Sequence, residues 1–140
     1  MIQQLHIKDF AIIDEININF KTGLTVITGE TGSGKSVILE ALGVALGAKA
    51  DKLMVRSGAQ RAVVKAEFID SEIRRLISSK GRTKSYKNDM PISITDLIKT
   101  NQELVDFHGQ HDQQLILDKT NQLNYLDQYC DHMYEVSFLK

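Results

Sequence analysis

Four residues at fixed spacing carry the first chemical signal. Gly29, Gly34, Lys35 and Ser36 complete the pattern G-x-x-x-x-G-K-[ST] within the run Gly29-Glu30-Thr31-Gly32-Ser33-Gly34-Lys35-Ser36. Gly32 and Gly34 permit backbone geometry that residues with a Cβ resist, so successive N–H groups can turn inward as a nest for an anion. A helix opening near Lys35 aims the positive end of its dipole at the same point. Lys35 adds a full charge between terminal phosphates, and the Ser36 hydroxyl suits the shell of a Mg²⁺ ion. The implied ligand is a nucleoside triphosphate with Mg²⁺. The sequence has no guanine-reading N-K-x-D, which favours ATP by omission. A glycine-rich turn matching by chance is the alternative, and the flanking elements argue against it.

Those elements must hold the loop. Before it, Leu24-Thr25-Val26-Ile27-Thr28 is short, β-branched and almost continuously apolar, the pattern of a central strand covered on both faces. After it, Val37, Ile38, Leu39, Ala41, Leu42, Val44, Ala45 and Leu46 recur at helical spacing, and Gly47 reads as a C-cap. This helix is apolar nearly all round, which predicts burial against a sheet. Upstream, Ile2, Leu5, Ile7 and Phe10, then Ile12, Ile13, Ile16, Ile18 and Phe20, predict two strands with one buried face.

Downstream, residues 62–69 read as a strand. Residues 73–79 and 82–87 flank Lys80-Gly81 as a hairpin, which Asn88-Asp89 and Pro91 close. Ser93 or Thr95 caps a helix through Leu97, Ile98 and Leu104, with Asp96 near its positive end. Residues 104–107 are alternatively a short strand entering His108-Gly109-Gln110-His111, and residues 120–129 read as helical.

A chain of 140 residues is one domain in size, and 42% apolar with 25% charged residues argues against disorder. The net charge of −1 excludes a polycation, so any nucleic-acid contact must come from a local patch. One candidate exists. Arg74, Arg75, Lys80, Arg82, Lys84 and Lys87 fall within fourteen residues that contain no carboxylate. They form either a solvated hairpin face that resists edge pairing or a salt-sensitive contact to a phosphate backbone. Tyr86 is the only aromatic residue there, too little for a stacking platform. Cys130 is the only cysteine, which excludes an internal disulfide and a thiolate zinc site and fits a reducing compartment. The first ten residues lack a signal-peptide core, and no run nears the ~20 apolar residues of a membrane span. A soluble cytoplasmic protein is expected.

Taken together, residues 1–13, 23–36, 43–47, 54–59, Arg74-Arg75, 77–82 and His108-Gly109-Gln110-His111 resemble the N-terminal head segment of the structural-maintenance-of-chromosomes (SMC) ATPases, and especially their bacterial DNA-repair members. These are relatives of ATP-binding-cassette heads. The resemblance implies an α/β P-loop NTPase half-domain: a mixed sheet around the phosphate-loop helix, with antiparallel strands and a basic hairpin. The lobe would span residues 1–129, and residues 130–140 would begin the connection toward a coiled coil. Gln110 matches the Q-loop glutamine that touches Mg²⁺ and the attacking water, so Lys35 and Gln110 become the catalytic candidates and Ser36 and Gln110 the metal-facing ones. Read without the resemblance, Gln110 is equally a solvated loop residue.

Lys8 and Asp9 match the part of such heads near the α-phosphate and base. Arg56 matches an arginine reaching the nucleotide edge or DNA, and otherwise reads as a surface salt-bridge residue. His108 and His111 read as loop histidines that shape the Q-loop. The implied partners are DNA, the C-terminal half of the head, and a second head as a homodimer, with no membrane, in the nucleoid-associated cytoplasm of a bacterium. Downstream of the phosphate loop the sequence has no apolar run ending in Asp-Glu, and it has no Ser-Gly-Gly signature. In the family both lie beyond the coiled coil, so binding of ATP is expected here more than turnover. The connection over residues 68–74 is shorter than the family pattern. The alternative is an independent small P-loop kinase or NTPase, for which the basic hairpin makes a poor lid; a third is a DNA-binding module with a vestigial loop.

Overall fold

Alternating apolar and polar residues produce the expected first hairpin, β1 (Ile2–Phe10) and β2 (Ile13–Asn19), in register with Leu5 opposite Ile18 and Ile7 opposite Ile16. The computed structural model describes residues 1–30, 34–102 and 105. The chain divides into two units, Met1–Val105 and Asp106–Lys140, and every described residue belongs to the first. The expected boundary at residue 129, Gln110 with His108 and His111, and the predicted elements beyond residue 105 lie outside the described residues.

Strands β3 (Arg61–Phe68), β4 (Glu72–Ser78), β5 (Thr83–Lys87) and β6 (Met90–Pro91) extend the sheet in the order β2-β1-β3-β4-β5-β6. All pairings among the described strands are antiparallel. Local chemistry sets the turns. Phe68 N–H donates to Ser71 O at 2.7 Å, so β3 returns as β4 through a tight turn. Asn88 and Asp89, with φ of 50° and 62°, make the paired left-handed turn that suits a two-residue hairpin loop between β5 and β6.

Helices α1 (Lys35–Leu46) and α2 (Ile94–Gln102) cover one face of the sheet. Leu5, Ile7, Ala62, Val64, Ala66, Ile73 and Ile77 meet Ala41, Val44, Ala45 and Leu97 there, all essentially buried. Ser93 is the cap of α2. Its Oγ accepts from Asp96 N at 3.1 Å and donates to Asp96 Oδ2 at 2.7 Å, which settles the choice against Thr95. The opposite sheet face is polar. Register places Lys65 between His6 and Arg74, and Glu67 and Glu72 balance its charge at 2.7 Å and 3.0 Å from Lys65 Nζ.

Two expectations are corrected. Residues 24–28 are not in the sheet: Leu24 is 93% exposed and Val26 70%. An apolar run becomes a central strand only between neighbours that bond its edges, and none of the described strands lies beside it. Helix α1 is buried on one stripe, not all round, and Leu39 on its free side is 50% exposed. Among the described residues no helix is long and apolar enough to cross a membrane.

Candidate nucleotide-binding site

Gly34 opens α1 with φ 92° and ψ 1°, a left-handed cap that favours glycine. Ile38 N–H donates to Gly34 O at 3.0 Å and closes the first turn. Gly34 supplies no side-chain cap, and the first turn contains no acidic residue. The unpaired N–H groups and positive dipole end of α1 are therefore not neutralised from within the helix. Lys35 follows and turns back, its Nζ donating to the carbonyl oxygen of Gly29, the first residue of the motif. The ammonium thus joins the two ends of the loop beside the helix start, with Ser36 exposed next to it. A cation and a bare helix N-terminus on one side of a loop make a site for phosphate oxygens. Glu30 is exposed, and Thr31, Gly32 and Ser33 lie outside the described residues.

The β1–β2 turn is locked onto this region. Ala11 N–H donates to Met54 O at 2.7 Å, Arg56 N–H donates to Asp9 O at 2.8 Å, and Phe10 bridges Val55. Asp9 and Ala11 both hold positive φ, 52° and 49°, which non-glycine residues seldom adopt without support. The turn brings Ile12 to Gly34, where a Cβ would lie 3.8 Å from Ile12 Cδ1. On its other side Lys8, Asp9 and Arg56 converge on an open cleft of about 510 Å³, which Ser57, Gly58 and Arg61 also line. Arg56 Nη1 lies 2.6 Å from Asp14 Oδ1, and Lys8 Nζ 3.4 Å from Glu15 Oε2. His6 Nε2 stands 2.9 Å from Glu15 Oε1; that hydrogen bond and the charge of Lys8 hold the Glu15 carboxyl below its ordinary range. Arg61 was not among the sequence candidates, because only strand pairing brings it to Lys8.

The six cations of the basic stretch do not form one patch. Arg75 is a correction: it is 2% exposed and faces α1, where its Nη1 donates to Val44 O at 2.9 Å, so it cannot be a surface DNA contact. Strand alternation explains this, since Arg74 and Arg75 must point to opposite faces. Burial pushes the Arg75 guanidinium below its ordinary pKa range, although arginine keeps its charge. Arg74 lies 2.8 Å from Asp89 Oδ1 and 5.0 Å from the centroid of the Tyr86 ring. Lys84 pairs with Leu76 on the polar face, whereas Lys87 pairs with Ile73 at the far end of β5.

Lys80 and Arg82 occupy the exposed β4–β5 turn. This turn shares a sheet end with Arg61, which pairs with Ser78, and Ser79 N–H donates to Gln60 O at 2.9 Å. Lys52 stands against the same turn, its Cβ 4.0 Å from where Gly81 would carry one.

Comparison with known proteins bears on the family and the fold. A family profile described as an AAA domain matches residues 4–138. The DNA repair protein RecN of Xylella fastidiosa is 37% identical over 152 aligned positions, which cover 94% of this chain and 27% of the relative. The chain therefore spans about a quarter of the length of the curated relatives it matches. A solved structure from work on ATP-driven dimerization and DNA-stimulated activation of SMC ATPases superposes with a TM-score of 0.67. It is 21% identical and covers 89% of this chain and 90% of its own, a likeness of fold. The SMC head domain from Thermotoga maritima gives a TM-score of 0.62 at 26% identity, over 71% of this chain and 41% of that one. With its glycine loop, its SMC-like fold and its RecN relatives, the chain belongs to the AAA domain family and is RecN-like within it.

Proposed function

We propose that this chain is the ATP-binding portion of a RecN-like ATPase in DNA double-strand-break repair and recombination, in which ATP binding drives engagement of two heads. One observation carries the reading: the Lys35 ammonium closes on Gly29 O at an α1 N-terminus that has no side-chain cap and no first-turn carboxylate. That arrangement suits phosphate oxygens and little else. Bound ATP supplies the phosphoanhydride, and Mg²⁺ neutralises its phosphates when present. Lys35 would sit at the terminal phosphates, with Gly29, Glu30, Thr31, Gly32, Ser33 and Gly34 offering backbone around them. Ser36 and Gln110 would face the metal. Lys8, Asp9 and Arg56, already gathered on one cleft, would face the nucleotide edge or a DNA phosphate.

The exposed run 24–28 supports a second segment, the C-terminal half of the head, as the partner that gives it strand neighbours and brings the missing carboxylate. DNA is proposed as the partner of the full-length protein, at the sheet end that carries Arg61, Lys80 and Arg82. Turnover measured for this chain alone and with a C-terminal head segment tests the reading. Hydrolysis should appear only in the mixture. Turnover by the isolated 140 residues would favour the independent NTPase instead.

A further inference from the structure

The end of α1 opposite the phosphate loop is held by side chains from two other elements. From β4, Arg75 Nη1 donates to Val44 O at 2.9 Å. From α2, Asn101 Nδ2 donates to Leu46 O at 2.9 Å. Both side chains are buried, at 2% and 4% exposure. Between them Gly47, with φ 119°, turns the chain, and its N–H bonds Val44 O at 3.2 Å while Ala48 N–H bonds Gly43 O at 3.0 Å. A Cβ on Gly47 would stand 2.6 Å from Ile98 Cγ1, so α2 rests directly on this terminus.

A helix leaves its last carbonyls without intrahelical partners and gathers partial negative charge there. Helix α1 has no basic residue of its own in the last turn. Arg75 supplies that cation from the sheet. Among the described residues no carboxylate lies within salt-bridge distance of it, so the helix terminus is its electrostatic counterpart. Among the described residues its Nε and Asn101 Oδ1 also lack partners. A buried, incompletely bonded cation is a poor way to stabilise a core, and an apolar residue of similar volume usually does better. What the guanidinium adds is a directed bond at one defined point of the helix end.

We propose that Arg75, assisted by Asn101, is a positioning residue for the nucleotide loop: it fixes the tilt and register of α1, so that Gly34, Lys35 and Ser36 at the other end hold phosphate-binding geometry. This rests on the ATP-binding reading above. The lever arm makes the effect large. Twelve residues at 1.5 Å rise span about 18 Å, so a tilt of about 10° at the clamp moves Lys35 by about 3 Å. Hydrogen bonds to phosphate tolerate a few tenths of an ångström.

The test compares the full chain with Arg75→Met, Arg75→Lys and Asn101→Leu by three readouts. These are thermal melting, amide hydrogen exchange along α1, and titration with a fluorescent ATP analogue plus Mg²⁺. Arg75→Met should melt cooperatively, yet exchange at the Ile38 amide should quicken and affinity should fall about tenfold or more. Arg75→Lys, which keeps charge and one donor, should recover part of both. Unchanged affinity and Ile38 exchange in a folded Arg75→Met, or faster exchange confined to residues 44–48, would overturn the proposal. If Arg75→Met does not fold, Asn101→Leu decides: a several-fold loss with faster Ile38 exchange supports the clamp, and no change refutes it. An unsubstituted chain that binds no nucleotide defeats the ATP reading itself, and Ile38 exchange then judges the clamp alone.

Discussion

At the scale of single residues, two glycines at the ends of α1 do different work. Gly34 has space for a methyl group but a φ of 92° that an L-residue resists, so Gly34→Ala should cost about 1–2 kcal/mol. Gly47 adds a collision at 2.6 Å with Ile98 to a φ of 119°, so Gly47→Ala combines backbone strain with overpacking and should cost about 2–4 kcal/mol. Denaturant melts of the two variants measure this order, and equal costs would contradict the packing of α2 on the helix end. Glu15 gives a pH signature. Its carboxyl is held below the ordinary 4.5 by His6 and Lys8, so its contribution is complete above that value and is lost as pH falls through the lowered folded pKa. Melting temperatures of the chain and of Glu15→Gln should differ near neutrality and converge in acid. A difference that grows on acidification would reverse the sign.

At the scale of elements, what could be read in advance was what local chemistry controls. Lys80-Gly81 and Asn88-Asp89 made their turns, Ser93 capped α2, and Gly47 ended α1, because each needs only neighbours a few residues away. Two features depend on distant partners and are not legible along the chain. Residues 24–28 have a strand's composition, but strand pairing is supplied from elsewhere. The basic stretch counts six cations along the chain, yet pleating sends Arg75 under α1 and Lys87 to the other sheet end. The loop pattern and the Lys8-Asp9 corner can be named as candidates from the sequence; Arg61 cannot, since only the β1–β3 register brings it to the same cleft. The sheet end should therefore carry the DNA contact. Neutralising Arg61, Lys80 and Arg82 should weaken duplex binding by the full-length protein and lower its salt slope by up to about 3. Neutralising Arg74 and Lys87 should do much less. The opposite ranking in filter binding across a salt series would move the contact to the far end of the β4–β5 hairpin.

At the scale of the whole molecule, the described residues form an antiparallel sheet covered on one face by α1 and α2, with the loop motif at the free end of α1. The polar sheet face is held by ion pairs such as Lys65 with Glu67 and Glu72. The apolar run 24–28 and the free side of α1 remain open among the described residues. That distribution accords with the proposed completion of the lobe by another segment. Titration of this chain with an ATP analogue and Mg²⁺, with Lys35→Ala as control, tests nucleotide binding at residues 29–36 most directly. Saturable one-to-one binding should weaken at least tenfold in Lys35→Ala, with little change in melting temperature; equal affinity in both chains would contradict a nucleotide site at residues 29–36.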